Sequence, residues 1–345
     1  MKKREVGLDL LRIISLTAVV IVHVCGTIIP KMPVTDVRWQ TASFIPGILT
    51  WQVPCFVMIS GRFFLDPARE VDTRKIRKAV IRLICAFLFW NLLYQLFYYF
   101  SGAYSNLNWN GILSEAVHGA YHFWYIYMLL GLYILVPILR NLVRNRTATR
   151  YFLLLFLLFS LLNGYMDKLP LIGTTIRQVL DMVNFHHAVG FVGYFVLGYY
   201  LHEYPVSDRW KKWVYILGAV LIVAAGAGNV LAARYTGEEN TIFVRYLMPN
   251  IIVESACVYT FFIKEISRIR FSQKLERWII KLSDLSFGVF LNHALVLELL
   301  SAVGFSLTSG PLVVMVMACT LIVLTVGNAV AALIRRLPKI GLLLS

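Results

Sequence analysis

Ten apolar runs divide this chain almost end to end, at 7–29, 43–65, 80–100, 121–139, 151–167, 186–202, 212–233, 247–264, 284–304 and 311–334. Each is close to the roughly 20 residues that a helix needs to cross a bilayer. Lipid offers no hydrogen bonds to an open backbone, so apolar runs of this length fold as helices. The sequence therefore predicts an all-α integral membrane protein, a bundle of about ten transmembrane helices. The connecting stretches are too short for a soluble domain of about 50 residues or more, so residues 1–345 read as a single transmembrane domain. Composition agrees. Of the 345 residues, 59% are hydrophobic and only 15% charged, whereas soluble domains carry about 25% charged residues. The first run does not read as a cleaved signal peptide. It is too long, contains Asp9 and Arg12, and is not followed by a small-residue cleavage site.

The formal charge of +15 would by itself fit a nucleic-acid partner. Its distribution points elsewhere. With Met1 placed in the cytoplasm, 24 of the 33 Lys and Arg residues fall on the cytoplasmic side and 6 on the opposite side, with Arg12, Arg62 and Arg82 in or at the spans. Cytoplasmic loops of membrane proteins carry such an excess. The bias predicts both termini in the cytoplasm, a multi-pass protein of the plasma or inner membrane, the lipid bilayer as partner and no nucleic acid. The longer stretches on the far side, 101–120 and 168–185, carry Tyr104, Asn106, Trp109 and Asn184 among others. Such residues suit a sugar or a membrane interface equally well.

Ionisable residues within a span are costly and usually face a bundle interior or an aqueous cavity. The first span holds Asp9, Arg12 and His23. The interval from Arg12 to His23 is three helical turns plus about 20°, so the two share a face with roughly 16 Å of rise between them. Asp9 precedes Arg12 by three residues, a spacing that lets their side chains pair. Arg12 is close enough to the cytoplasmic end to snorkel. His23 lies deep in the outer half, where it needs a hydrogen-bond partner or a chemical role. Elsewhere, His122-Phe123-Trp124-Tyr125 opens the fourth span, Glu254 sits midway along the eighth, and Asn292-His293 lies in the ninth. Trp124 fits an interfacial anchor as readily as a cavity wall.

Several chemistries lack their signatures. The chain has no GxxxxGK phosphate loop, no HExxH, no GxSxG, no GxGxxG before a helix and no HxxxxD. Cys25, Cys55, Cys85, Cys257 and Cys319 all lie in apolar runs without a CxxC pair. They predict small buried residues, with neither a metal site nor a disulfide framework.

Four segments in order resemble the membrane-bound acyltransferase-3 family, multispanning proteins that O-acylate cell-surface glycans. Leu8-Asp9-Leu10-Leu11-Arg12, with His23 following, is similar to the family's Arg-x10-His pattern on the first helix. Val53-Pro54-Cys55-Phe56-Val57-Met58-Ile59-Ser60-Gly61 is similar to V-P-x-F-F-x-I-S-G on the second. Tyr121-His122-Phe123-Trp124-Tyr125, through Tyr133 and Pro137, is similar to an H-x-W-Y…Y…P helix. Ser286-Phe287-Gly288-Val289-Phe290-Leu291-Asn292-His293 is similar to S-x-G-I-Y-x-x-H on the penultimate helix. Arg82-Leu83-Ile84-Cys85-Ala86 departs from the family's R-x-L-x-P by losing the proline, which bears on where the third helix starts.

The resemblance implies an O-acetyltransferase with no bound cofactor. Acetyl-CoA, or a related acyl-CoA, would be the co-substrate on the cytoplasmic side. The acceptor would be a hydroxyl of a glycan or lipid-linked saccharide on the other side or within the lipid plane. On this reading Arg12, backed by Arg82 and Lys78, holds the anionic head of the donor, because a guanidinium donates two aligned hydrogen bonds to phosphate. Asp9 orients Arg12. His23 is either the general base or a transient acyl carrier. His122, Trp124, Tyr125, Glu254 and His293 belong to the substrate cavity. The rise from Arg12 to His23 is comparable with an extended pantetheine arm. Two other classes compete: an exporter or flippase for a surface polysaccharide, and an assembly subunit of a polysaccharide machine. A carrier is expected to show discontinuous helices near the midplane and an internal repeat. The sequence shows few Pro/Gly breaks within spans and no convincing repeat. An assembly subunit has no need of Arg12, His23, His122 and His293 together.

Overall fold

Fourteen α-helices make up a computed structural model of the chain, which describes residues 4–69, 71–104, 108–166, 172–183, 185–305, 307, 310–338 and 340–345. The side chains of 183 and 185–189 are outside that description, as are Asn106 and Asn184 of the two far-side stretches. The helices are α1 (Val6–Gly26), α2 (Val37–Gly47), α3 (Gln52–Leu65), α4 (Thr73–Phe100), α5 (Trp109–His118), α6 (Trp124–Val143) and α7 (Arg146–Gly164). They continue as α8 (Gly173–Val183), α9 (Phe185–Glu203), α10 (Asp208–Thr236), α11 (Pro249–Lys264), α12 (Gln273–Ala302), α13 (Leu312–Arg335) and α14 (Gly341–Leu344). No strand occurs among the described residues. Polar side chains placed just before the apolar runs start several helices. Asp72, Asn108, Asn145 and Ser272 each accept a backbone N–H of the first turn that follows, the usual role of an N-cap.

Among the described residues, eight helical segments are long and apolar enough to cross a membrane: Val6–Lys31, Val37–Leu65, Thr73–Phe100, Tyr121–Val143, Arg146–Gly164, Asp208–Thr236, Gln273–Ala302 and Leu312–Arg335. The protein is all-helical and multi-pass. The ten predicted runs include two, 186–202 and 247–264, that are not among these eight. The second forms α11, whose 16 residues fall short of the roughly 20 a crossing needs. The first forms α9, which is interrupted at Gly190, where φ −9° and ψ −124° are not helical. Both pack deep in the bundle. Tyr194, Phe195 and Val196 of α9 and Ile251, Glu254 and Tyr259 of α11 are fully buried.

The predicted run 43–65 is likewise not one helix. α2 stops after Pro46 and Gly47, and α3 begins at Gln52 after four intervening residues. Proline lacks an amide hydrogen and disrupts a helix that tries to continue through it. The carbonyls at the break find local donors: Thr50 Oγ1 bonds Pro46 O at 3.0 Å, and Trp51 Nε1 bonds Ile48 O at 2.9 Å. Backbone breaks at membrane depth persist only where such partners exist. The expected scarcity of Pro/Gly interruptions therefore fails here and at Gly190. α4, by contrast, starts at Thr73 and runs unbroken through Arg82–Ala86, where the missing proline would have stopped it.

α3 and α9 meet backbone to backbone. A Cβ added to Gly61 would fall on the carbonyl of Phe195, and one added to Gly198 on the backbone of Met58. Small residues that let helices approach this closely are the usual membrane solution, because lipid supplies no hydrophobic drive between helices. Replacing Gly198 with alanine is expected to force the two helices apart at a cost of about 1–3 kcal/mol. Thermal melting in detergent measures it, and an unchanged melting temperature would show that the contact yields freely.

One end of the bundle gathers the basic segments. Glu5 bonds Arg62 at 3.2 Å and Arg69 at 3.3 Å through Oε1, and His202 at 2.8 Å through Oε2. Arg140, near the end of α6, donates to the carbonyls of Phe64, Asp66 and Arg69. Lys264 pairs with Asp208 at 3.0 Å, and Lys211 with Glu265 at 3.0 Å. Burial alone would raise the pKa of Glu5, but the hydrogen bond to His202 and the charges of His202, Arg62 and Arg69 outweigh it and hold the carboxylate below its ordinary 4.5. A depressed carboxylate stabilises the fold above its unfolded pKa, and the contribution disappears as pH falls through the folded value. Glu5→Gln is therefore expected to melt lower than wild type at neutral pH, and the two should converge as pH drops well below 4.5. Parallel melting curves at every pH would show that Glu5 contributes nothing.

Candidate active site

A cavity of about 390 Å³ lies within the bundle, walled by α1, α3, α4, α6 and α12. α1 is a continuous helix, so the shared face expected for Arg12 and His23 is realised, and both side chains line this cavity.

At the end with the basic segments, Arg12 and Arg82 line the cavity beside Ser283 and Asp284 of α12. Arg12 Nη1 donates to Ser283 Oγ at 2.9 Å and lies 3.4 Å from Asp9 Oδ1. Ser283 Oγ in turn donates to Asp9 Oδ1 at 2.6 Å. Arg4 completes the cluster, at 2.7 Å from Asp9 and 2.6 Å from Asp284. Asp9 is buried, and a buried carboxylate is tolerable only when paired. Here it holds Arg12 on one side and Arg4 on the other. Arg82 is half-buried. It stacks over the Phe287 ring at 4.9 Å and donates to the carbonyl of Ser345. Lys78, one turn nearer the start of α4, is exposed and is not on the lining.

At the other end the cavity is bounded by His23, His122, Trp124 and Tyr246. The chain reaches His122 through a turn that only glycine makes easily. Gly119 closes α5 at φ +71° and ψ −169°, a region essentially restricted to glycine. A short 3₁₀ turn, Tyr121–Phe123, then leads directly into α6 at Trp124. Trp124 is 39% exposed, consistent with an anchor, yet it also lines the cavity and packs on Phe191 at 5.5 Å and Tyr246 at 5.6 Å. Tyr125 is buried on the lining, against Phe290 at 5.2 Å.

His293 lies behind His23, with ring centroids 5.2 Å apart, and His122 lies 4.8 Å from His293. Tyr121 closes the ring of side chains, 5.0 Å from His23 and 5.4 Å from His122. His23 is half-buried and makes no hydrogen bond among the described residues, which leaves its nitrogens free for a ligand. Neither ring nitrogen of the buried His122 makes a hydrogen bond of ordinary geometry among the described residues. No group of three His, Cys, Asp or Glu side chains among them could hold a metal ion.

The site thus brings together Asp9, Arg12, His23, Arg82, His122, Trp124, Tyr125 and His293. Glu254 is elsewhere. It is fully buried on α11, accepts from Asn250 at 3.0 Å, and does not line the cavity. Four contributors were not anticipated: Arg4, Gln52, Tyr246 and Ser283. Gln52 had a visible signal, because Pro46-Gly47 and Pro54 mark a helix break beside it. Arg4, Tyr246 and Ser283 had none, since they reach the site only through tertiary contacts.

Long apolar helices around a cation-lined internal cavity define a multi-pass membrane protein with a pocket inside its bundle. An acyltransferase domain model matches residues 5–330, and the chain belongs to the acyltransferase-3 family. It is a membrane acyltransferase in the general sense of that family. No curated protein and no solved structure matches it.

Proposed function

We propose that this protein moves an acetyl group, or a similar short acyl group, from cytoplasmic acyl-CoA to a hydroxyl of a cell-surface or lipid-linked glycan. The observation that carries the reading is the single cavity lined at one end by Arg12 and Arg82 and at the other by His23. An acyl-CoA has an anionic head and a long thin arm ending in the thioester. Its head fits the arginine end, and its arm spans the roughly 16 Å of helix between Arg12 and His23. The acyl-CoA is a co-substrate, and no resident cofactor enters the scheme. The reading assigns Arg12 and Arg82 to the donor head, with Lys78 outside the mouth attracting anions. Asp9 fixes Arg12. His23 takes the hydroxyl proton or carries the acyl group. His122, Trp124 and Tyr125 form the acceptor side. In its short single-domain form the chain resembles the O-acetyltransferase of enterobacterial common antigen assembly.

The same reading takes α9 and α11 as two further crossings, giving ten, with both termini in the cytoplasm of a cytoplasmic-membrane protein. Its support is that both helices end at the basic face: His202 of α9 bonds Glu5, and Lys264 of α11 bonds Asp208. The other end of α11 lies where α7 ends, since Tyr165 bonds Asn250 at 2.7 Å. Ten crossings keep the basic loops on one side. The break between α2 and α3 is a feature that carriers also use, but a carrier has no need of unpartnered imidazoles on the cavity wall.

The test is to incubate the purified protein in detergent with labelled acetyl-CoA and candidate lipid-linked glycans, and to identify the product by mass spectrometry. An acylated saccharide is the expected result. If acetyl-CoA is neither consumed nor bound, the donor assignment is wrong.

A further inference from the structure

The pairing of His23 with His293 has a direction. His293 is fully buried, and its Nδ1 lies 2.6 Å from the carbonyl oxygen of Phe290, one turn back on α12. A carbonyl oxygen only accepts, so Nδ1 carries the hydrogen and the neutral ring offers Nε2 as a lone pair. That Nε2 is buried and makes no hydrogen bond among the described residues. The rings packed against it belong to His23, His122 and Phe290. Both His23 and His122 line the cavity, but His122 has both nitrogens buried, so only His23 presents a nitrogen to it. The lone pair on His293 thus sits against the one imidazole that a substrate can reach.

The turn of α12 that carries His293 is itself held from outside. Tyr94 of α4 is fully buried. Its hydroxyl accepts the N–H of Leu295 at 2.8 Å and donates to the carbonyl of Leu291 at 3.1 Å. Those two backbone groups are the partners of a single helical i→i−4 bond, and the phenol stands between them. Tyr94 thereby ties α4 to the turn of α12 that carries His293.

We propose that His293 is the positioning residue for His23. The rings already pack at 5.2 Å; when His23 turns its N–H onto that free Nε2 as substrate binds, the bond fixes the His23 ring and leaves the second His23 nitrogen as a lone pair facing the cavity. This rests on the reading of His23 as the base of the transfer. In the reaction the acceptor hydroxyl gives its proton to that nitrogen. Its oxygen forms the ester bond to the acyl carbon as the C–S bond breaks, and the imidazolium returns the proton to the departing thiolate. His293 passes no proton through its ring, because Nδ1 is committed to Phe290. It holds the tautomer and stabilises the imidazolium, the part that a carboxylate plays in a Ser-His-Asp triad.

The test compares His293→Leu, His293→Gln, Tyr94→Phe and His23→Ala in the full-length purified protein. The readout is release of CoA thiol from acetyl-CoA, with membrane-extracted lipid-linked saccharides as acceptor. His293→Leu is expected to lower kcat about 100-fold with little change in the KM for acetyl-CoA. His293→Gln, whose side-chain carbonyl still accepts, should recover about tenfold of that loss. Tyr94→Phe should lower kcat about tenfold, with KM again unchanged. Wild-type kcat in His293→Leu overturns the proposal. So do equal losses in Leu and Gln accompanied by a lower melting temperature, the mark of a purely structural role. If His23→Ala is inactive while His293→Leu is unimpaired, only the positioning role falls. If His23→Ala keeps wild-type turnover, the reading of His23 falls and the positioning role with it.

Discussion

Replacing His23 with alanine is expected to lower acyl transfer by roughly 10²- to 10⁴-fold, the range over which a positioned general base acts, and by more if the imidazole carries the acyl group. The side chain is half-buried, lines the cavity and makes no hydrogen bond to the protein among the described residues. Its loss therefore leaves no buried partner unsatisfied apart from Nε2 of His293, which is already without one. Membrane insertion and the melting temperature should be close to wild type. That separates this variant from substitutions that abolish activity by unfolding the bundle. The two chemical roles also part experimentally. Mixing the wild-type protein with labelled acetyl-CoA and quenching leaves label on the protein if His23 carries the acyl group, and none if it is only a base. Undiminished glycan acetylation by His23→Ala would remove the central claim.

Arg12→Ala is expected to act on the donor instead. Hydrogen bonds to charged groups contribute about 1.5–3 kcal/mol each, so losing the guanidinium should raise the apparent KM for acetyl-CoA by roughly 10- to 100-fold. Among the described residues, Arg12 and Arg4 are the cations that neutralise the buried Asp9, so alanine at Arg12 carries a structural penalty that Arg4 only partly offsets. Arg12→Lys separates the two effects. A lysine keeps the charge beside Asp9 but not the planar fork that matches a phosphate. It should restore the melting temperature more fully than the KM. If titration of acetyl-CoA gives the same KM and kcat for wild type and both variants, Arg12 serves the fold alone.

The parts of this site that lie on one continuous helix could be read from the chain. Asp9, Arg12 and His23 are related by helical geometry alone, and α1 has no break to spoil the count. The resemblance pointed to His122 and His293. Their meeting with His23 joins α1, the turn before α6 and α12, and no local pattern encodes such a contact. Ser283 and Arg4 illustrate the same limit. A serine on an apolar helix and an arginine ahead of the first span look ordinary until tertiary folding sets both against Asp9. Glu254 shows the opposite error. A carboxylate in mid-span suggested a functional cavity, but the buried acid is held by Asn250 in another part of the bundle. The break between α2 and α3 escaped notice because hydropathy weighs side chains, whereas the interruption comes from the amide that Pro46 lacks. The departure at Arg82–Ala86 was visible, and its effect was on helix length: without the proline, α4 extends back to Thr73.

The glycines at the α3–α9 contact leave those two helices no slack. α3 supplies Gln52, Val53, Phe56, Ser60 and Phe64 to one wall of the cavity, so that wall behaves as a stator. The wall carrying Arg82 is built differently. α4 buries only Leu83, Ala86, Trp90, Asn91 and Tyr94 along 28 residues and is the more loosely seated partner. If the donor head of the proposed reaction needs more room than the cavity gives, α4 is the wall with least packing to lose. Because Tyr94 of that helix grips α12 beside His293, the arginine wall and the imidazoles at the far end share one connecting lever.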